Sequence, residues 1–112
     1  MGMDADSVIW IGIVKNHQLE EVTSLPEDLS IALQLHGTVV CEGLIFQEFY
    51  DADTNAGFGV EVFHHCWRTG AVTLDLTELA SRVQFLLPKA IKAFQAMGIN
   101  CEPKVWLGTH LT

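Results

Sequence analysis

The run Ser7-Val8-Ile9-Trp10-Ile11-Gly12-Ile13-Val14 is β-branched and apolar at odd and even positions alike. Neighbouring strand residues point to opposite faces, so a strand of this composition presents apolar side chains on both. It must therefore lie inside a sheet, with material on each side. That requirement excludes an isolated hairpin and an all-helical bundle.

The segments that follow supply the layers. Ser24-Leu25-Pro26-Glu27 reads as a helix start, with Ser24 as cap, Glu27 completing a capping box and Pro26 in the first turn. The helix continues through Leu29, Ile31, Ala32, Leu33 and Leu35, and Gly37 ends it. Thr38 to Tyr50 reads as one long strand, residues 51–57 as a turn-rich loop, and Phe58 to Arg68 as a second long strand, so the two form a hairpin. After Thr69-Gly70, Val72 to Leu76 alternates as a short strand. Asp75 or Thr77 caps a second helix, with Glu78 at the capping-box position. Its stripe is Leu79, Val83, Leu86, Leu87, Ala90, Ile91, Phe94 and Met97. Pro88 removes one backbone donor, which predicts a kink or break near Phe85. Gly98 ends the helix, and Val105 to Leu111 is a last strand whose start Pro103 places near an edge.

The order is strand, helix, two or three strands, helix, strand. It resembles the ferredoxin-like split βαβ arrangement with an added short strand. The resemblance implies an α+β fold: a small mixed or antiparallel sheet with two helices packed on one face. The length suits one domain over residues 1–112, with residues 1–6 as a tail.

Charge and composition narrow the function. Six basic residues against fourteen acidic ones give a net charge of −8. Such a surface repels phosphate backbones, so no nucleic acid is expected as a partner, although an aromatic sheet face would otherwise suit RNA. A basic protein partner is the natural complement, as for an acidic immunity or inhibitor module. No apolar run reaches the ~20 residues of a membrane span. The opening Met1 to Asp6 lacks a basic region, and Asp6 stands where a myristoylation pattern needs Ser or Thr. Three cysteines without CxxC spacing read as reduced thiols in a cytoplasmic protein.

Strand alternation sorts the remaining candidates. In the first long strand, Val39, Cys41, Gly43, Ile45 and Phe49 fall on the core face, and Glu42, Leu44, Phe46, Glu48 and Tyr50 on the open one. In the second, Phe58, Val60, Val62, His64 and Cys66 fall inside, and Glu61, Phe63, His65 and Trp67 on the open face. Val105 and Leu107 point inward and Trp106 outward, while Trp10 shares the open face. The open face thus gathers rings and carboxylates, and Phe46, Glu48, Tyr50, Phe63, Trp67 and Trp106 are the candidate ligand or interface residues. An apolar patch of that kind marks an interface, which predicts a homo-oligomer, with a dimer first. A small-molecule pocket between copies is compatible with it. Glu42, Glu61 and His65 are the candidate acid–base catalysts of an isomerase- or lyase-like enzyme, since a carboxylate among rings is desolvated. His64 and Cys66 share a face, but a zinc site needs three or four converging ligands, for which Cys41 and Cys101 are the only further thiols. The cysteines read more simply as small core residues, so neither a metal nor a cofactor is expected.

Overall fold

The structure, a computed structural model, describes residues 5–14, 25–50 and 56–111. Strand β1 is Ala5–Val14, helix α1 Glu27–His36, β2 Thr38–Cys41, β3 Leu44–Tyr50, β4 Ala56–His65, α2 Leu76–Met97 and β5 Lys104–Leu111. Of the tail expected over residues 1–6, Ala5 and Asp6 belong to β1, and the rest lies outside the described residues.

The capping chemistry of α2 is as its sequence indicates. Asp75 Oδ1 accepts from the amides of Thr77 at 3.0 Å and Glu78 at 3.1 Å. Replacing Asp75 by Ala should cost about 1 kcal/mol; the check is a lower urea midpoint at unchanged slope. Gly98, at φ 77°, closes the helix, its amide donating to Gln95 and that of Ile99 to Phe94. The expected break near Phe85 does not occur: α2 runs unbroken through Pro88. In α1, Gly37 ends the helix in the left-handed conformation, but the start is not as expected: Pro26 is itself the N-cap, with no side-chain cap bond, and Glu27 opens the helix, so the capping box expected from Ser24, which lies outside the described residues, does not match it.

Two local devices overturn the expected strand faces. The first is a turn. Glu42 and Gly43 both have positive φ, at 53° and 75°, which makes a two-residue hairpin and divides the expected long strand into β2 and β3. Val39 and Cys41 stay on the helix side, where Leu44 and Phe46 join them as their register partners. Ile45, expected in the core, is exposed, and Phe46, expected on the open face, is fully buried. The second device is a bulge. Ile9 pairs with Phe63 and Trp10 with Glu61, so Val62 is an extra residue in β4. Its carbonyl accepts from Arg82 Nη1 of α2 at 3.3 Å. Beyond the bulge the parity reverses: Phe63 lies on the helix side opposite Ile9, and His64 on the other face opposite Val8. Past β4, Trp67–Thr69 form a 3-10 turn instead of continuing the strand. Residues 71–75, expected to include a short strand, are irregular.

The fold is α+β: a five-stranded sheet of order β2-β3-β4-β1-β5, with every neighbour antiparallel. This order differs from that of a four-stranded ferredoxin-like sheet. Both helices cover one face. Leu29 and Leu33 of α1 and Ala90, Ala93 and Phe94 of α2 share one core with Ile11, Ile13, Phe46, Phe58, Val60 and Val62. Phe46, Phe58 and Phe94 meet at centroid distances of 5.7, 6.0 and 6.1 Å, and the alanines let the helix approach the sheet closely.

The other face is not open. The sheet coils until β3 and β5, separated in the order by β4 and β1, touch across it. The space between them holds a second core of Val8, Trp10, Val14 and Phe49, with Trp106 packed against it. Trp10 is only 6% exposed, and its ring stacks on Phe49 at 4.9 Å and Trp106 at 6.5 Å. Glycines make this possible. A Cβ on Gly59 would stand 2.2 Å from the Ile11 carbonyl oxygen, and one on Gly57 2.5 Å from Trp10 Cζ2.

Candidate functional site

The bulge and the coiling together assemble one polar cluster. Alternation along β1 puts Asp6 on the same face as Val8 and Trp10, and its register partner in β5 is His110. His64 arrives on this face only because Val62 is bulged. The His64 ring and Asp6 share a hydrogen bond from Nε2 to Oδ2 at 2.7 Å. Its other nitrogen, Nδ1, lies 3.7 Å from Glu61 Oε1. His110 completes the group, its ring 5.8 Å from and nearly perpendicular to Phe49.

Asp6 is the buried member, 6% exposed, and its second oxygen, Oδ1, is excluded from solvent and has no hydrogen-bond partner within bonding distance among the described residues. The bond from His64 holds its carboxyl below the usual range, against the opposing effect of burial. His110 is shifted the other way for a base. Burial lowers its affinity for a proton, the neighbouring His64 adds to that, and the carboxylates of Asp6 and Glu61 offset part of it. Chemically, the arrangement orients one imidazole with a buried carboxylate and sets a second imidazole of lowered proton affinity beside it.

The residues expected to form the site are dispersed. Phe46 is at 0% exposure beneath the helices. Phe63 is half-buried on the helix side, where it lines a cavity of about 210 Å³ with Leu74, Leu79 and Arg82. That is below the roughly 300 Å³ at which small-molecule pockets usually begin. Glu48 is half-buried and pairs in register with Phe58, and Tyr50 closes β3. Trp67 is exposed on the 3-10 turn, with the Arg68 guanidinium 5.4 Å from its ring. Trp106, expected to point outward on an open face, instead packs against the second core, its Nε1 donating to Gly12 at 2.9 Å. Of the acid–base candidates, Glu42 sits in the β2–β3 turn, 3.8 Å from Lys92 Nζ, and His65 Nδ1 lies 3.4 Å from Thr69 Oγ1. Only Glu61 is in the cluster, beside His64 and not His65.

Cys66 neighbours Asp6, but the other two thiols do not join His64: Cys101 belongs to the helix-side core. Cys41 lies on the helix side, its Sγ 3.8 Å from the Ala93 carbonyl, and burial pushes its thiol pKa up. Among the described residues no group of three His, Cys, Asp or Glu side chains is arranged to hold a metal ion.

One further surface is distinctive. Val105 and Leu107 point to the helix side, opposite Ile11 and Ile9, yet they are 48% and 74% exposed. The reason is placement: α2 packs over β4 and β1, α1 over β2, and among the described residues no helix lies over the outer face of β5. Periodicity in β5 made these residues recognisable as one apolar face but carried no sign that neither helix would cover it. Asp6 and His110 lie at the alternation positions of Trp10 and Trp106 and were accessible to the same reasoning. The relocation of His64 had no signal in the sequence. No helix among the described residues is long and apolar enough to cross a membrane. No family model, curated protein or solved structure matches the chain.

Proposed function

We propose that this chain is a small self-associating binding protein, and that two copies meet through the outer face of β5. The observation that carries the reading is Leu107, 74% exposed on a strand that, among the described residues, neither helix covers. Charge favours a second copy on this face. Two chains of −8 repel, so they must meet where acid is scarce, and Lys104–Leu111 contains no carboxylate. Alternation supplies Val105, Leu107 and Thr109 as a contact row, which a two-fold axis through Leu107 would pair with itself.

The cavity walled by Phe63, Leu74 and Leu79 adjoins this row through Ile9, the partner of both Phe63 and Leu107. A second copy laid over β5 would deepen it into the small-molecule pocket that self-association calls for. The three cysteines, none of them in a disulfide, suit a reducing cytoplasm. On the fold, the sub-order β3-β4-β1-β5 supports a ferredoxin-like reading with β2 as an appended edge strand.

Light scattering tests the assembly. Wild-type protein is expected at twice 12.4 kDa and Leu107→Lys at 12.4 kDa, with unchanged circular dichroism. A wild-type mass of 12.4 kDa at high concentration would overturn the proposal.

A second reading follows from the polar cluster. An acid–base catalyst here would use His64, oriented by Asp6, with Glu61 as the second carboxylate. Exchange of a substrate proton with solvent, lost in His64→Gln but kept in His65→Gln, would support it.

A further inference from the structure

The cavity at the start of α2 has two unlike halves. Phe63, Leu74 and Leu79 form an apolar wall, and Asp75, Glu78 and Arg82 a charged rim. Asp75 is the N-cap of α2 and Glu78 stands three residues on, so one helical turn brings both carboxylates to the same opening. We propose that this cavity binds a small primary amine with a single-ring apolar body, the ring against Phe63, Leu74 and Leu79 and the ammonium between Asp75 and Glu78. The inference rests on the reading of this cavity as the ligand pocket and names what the pocket takes.

Volume sets the size of the body. The cavity measures about 210 Å³. An apolar cavity of roughly 150 Å³ is enough for benzene, so the remainder holds a short arm on one ring. Phe63 supplies an aromatic partner for that ring. Leu74, 43% exposed, gives up its contact with water when the ring enters.

Hydrogen bonding sets the charge of the arm. A helix start draws an anion through its unpaired amides. Here Asp75 Oδ1 already accepts from the amides of Thr77 and Glu78. Arg82 is tied as well, Nη1 donating to the Val62 carbonyl and Nη2 to Glu78 Oε1 at 3.0 Å. An anion would have to displace Glu78 from Arg82 and sit beside Asp75, in a chain of net charge −8. The rim instead has acceptors to spare: among the described residues nothing bonds Asp75 Oδ2 or Glu78 Oε2. An ammonium has three donors and no acceptor, so it can bond both carboxylates at once. It also offsets the repulsion between them, and the field of an acidic chain concentrates cations at such an opening.

Amide-resolved NMR titration of the full chain with phenethylamine at neutral pH tests the pocket. Shifts are expected at Leu74, Asp75, Glu78 and Leu79. Phenethyl alcohol, hydrocinnamate and butylamine remove the charge, reverse it and remove the ring in turn. Each should bind at least about tenfold more weakly, the factor of one charge-assisted hydrogen bond or one buried ring. Asp75→Asn keeps the cap, since Asn serves that position as well as Asp, and should weaken phenethylamine about tenfold. Glu78→Gln should do the same, while Glu27→Gln, a charge lost on α1, leaves the affinity unchanged. Equal affinity for the amine and the alcohol, tighter binding of hydrocinnamate, shifts centred elsewhere on the fold, or no shift at millimolar amine each overturn the inference. So does butylamine binding as tightly as phenethylamine, which would assign the rim to lysine side chains of a basic protein. Light scattering on the same samples keeps the two readings apart. A dimer indifferent to the amine overturns this inference alone, and a monomer that binds it overturns the assembly alone.

Discussion

Truncating Trp10 to alanine is expected to be the most damaging single change, lowering stability by on the order of 3–5 kcal/mol. The indole is the centre of the inner core: it is 6% exposed, stacks on Phe49 and Trp106, and donates from Nε1 to the Ile13 carbonyl at 3.3 Å. Little can collapse into the space it leaves, because the surrounding positions Gly57, Gly59 and Gly108 have no side chains to move. A domain of this size is stable by roughly 5–15 kcal/mol, so the variant should sit at the edge of folding. The measurement is a urea titration followed by far-ultraviolet circular dichroism. Loss of less than about 1 kcal/mol, the size of an ordinary surface or cap effect, would show that the second core is not a stabilising element.

The second large effect is expected at Gly59. An alanine there would bring Cβ to 2.2 Å from the Ile11 carbonyl oxygen and 2.9 Å from Trp10 Cδ1. The first contact is with backbone, so no rotamer change relieves it, and the strand pair must separate. Overpacking ordinarily costs about 1–3 kcal/mol, and a main-chain clash puts Gly59→Ala at or beyond the top of that range. Gly57 provides the control. The atoms nearest its Cβ would all belong to the Trp10 ring, the closest at 2.5 Å, Cζ2. Trp10→Phe removes the benzo ring responsible, so it should rescue Gly57→Ala by about 0.5–3 kcal/mol of coupling while leaving Gly59→Ala as damaging as before. Equal rescue of both would mean that the coil of the sheet does not depend on backbone approach at Gly59.

The two effects share one cause. A sheet that coils this far needs strands that pass close to one another and a core that fits the concave side. The glycines at 57, 59 and 108 make room, and Trp10 fills it. The same coiling brings His110 to Phe49.

Several features are legible in the amino-acid sequence alone. The two-faced run from Ser7 to Val14 demands a central strand, and β1 does lie between β4 and β5 with a core on each side. Asp75 and Gly98 delimit α2 as their chemistry predicts. Local signals of this kind depend on bonds within one turn or one strand, so a short stretch of residues contains everything that decides them. The Glu42-Gly43 turn is also locally written, since a glycine between two apolar stretches permits positive φ, but reading through it reverses the faces of Leu44 and Phe46.

Other features have no local signature. Val62 becomes a bulge residue because β4 must follow β1 through a strong bend, and Arg82, twenty residues on, takes up its carbonyl. That one residue moves His64 from the helix side to the inner face and Phe63 the opposite way. Exposure of Leu107 likewise depends on where α1 and α2 come to rest on the sheet, not on anything in β5.

What the chain by itself determined is the class of each segment and the pairing of apolar surface with a layer: strand composition, caps and stripes act over a few residues. What the tertiary structure alone decided is which face each side chain reached and which apolar strip was left uncovered. The physical reason is that side-chain direction in a strand alternates at every residue, so a single inserted or turned position, set by contacts distant in sequence, reassigns all that follow.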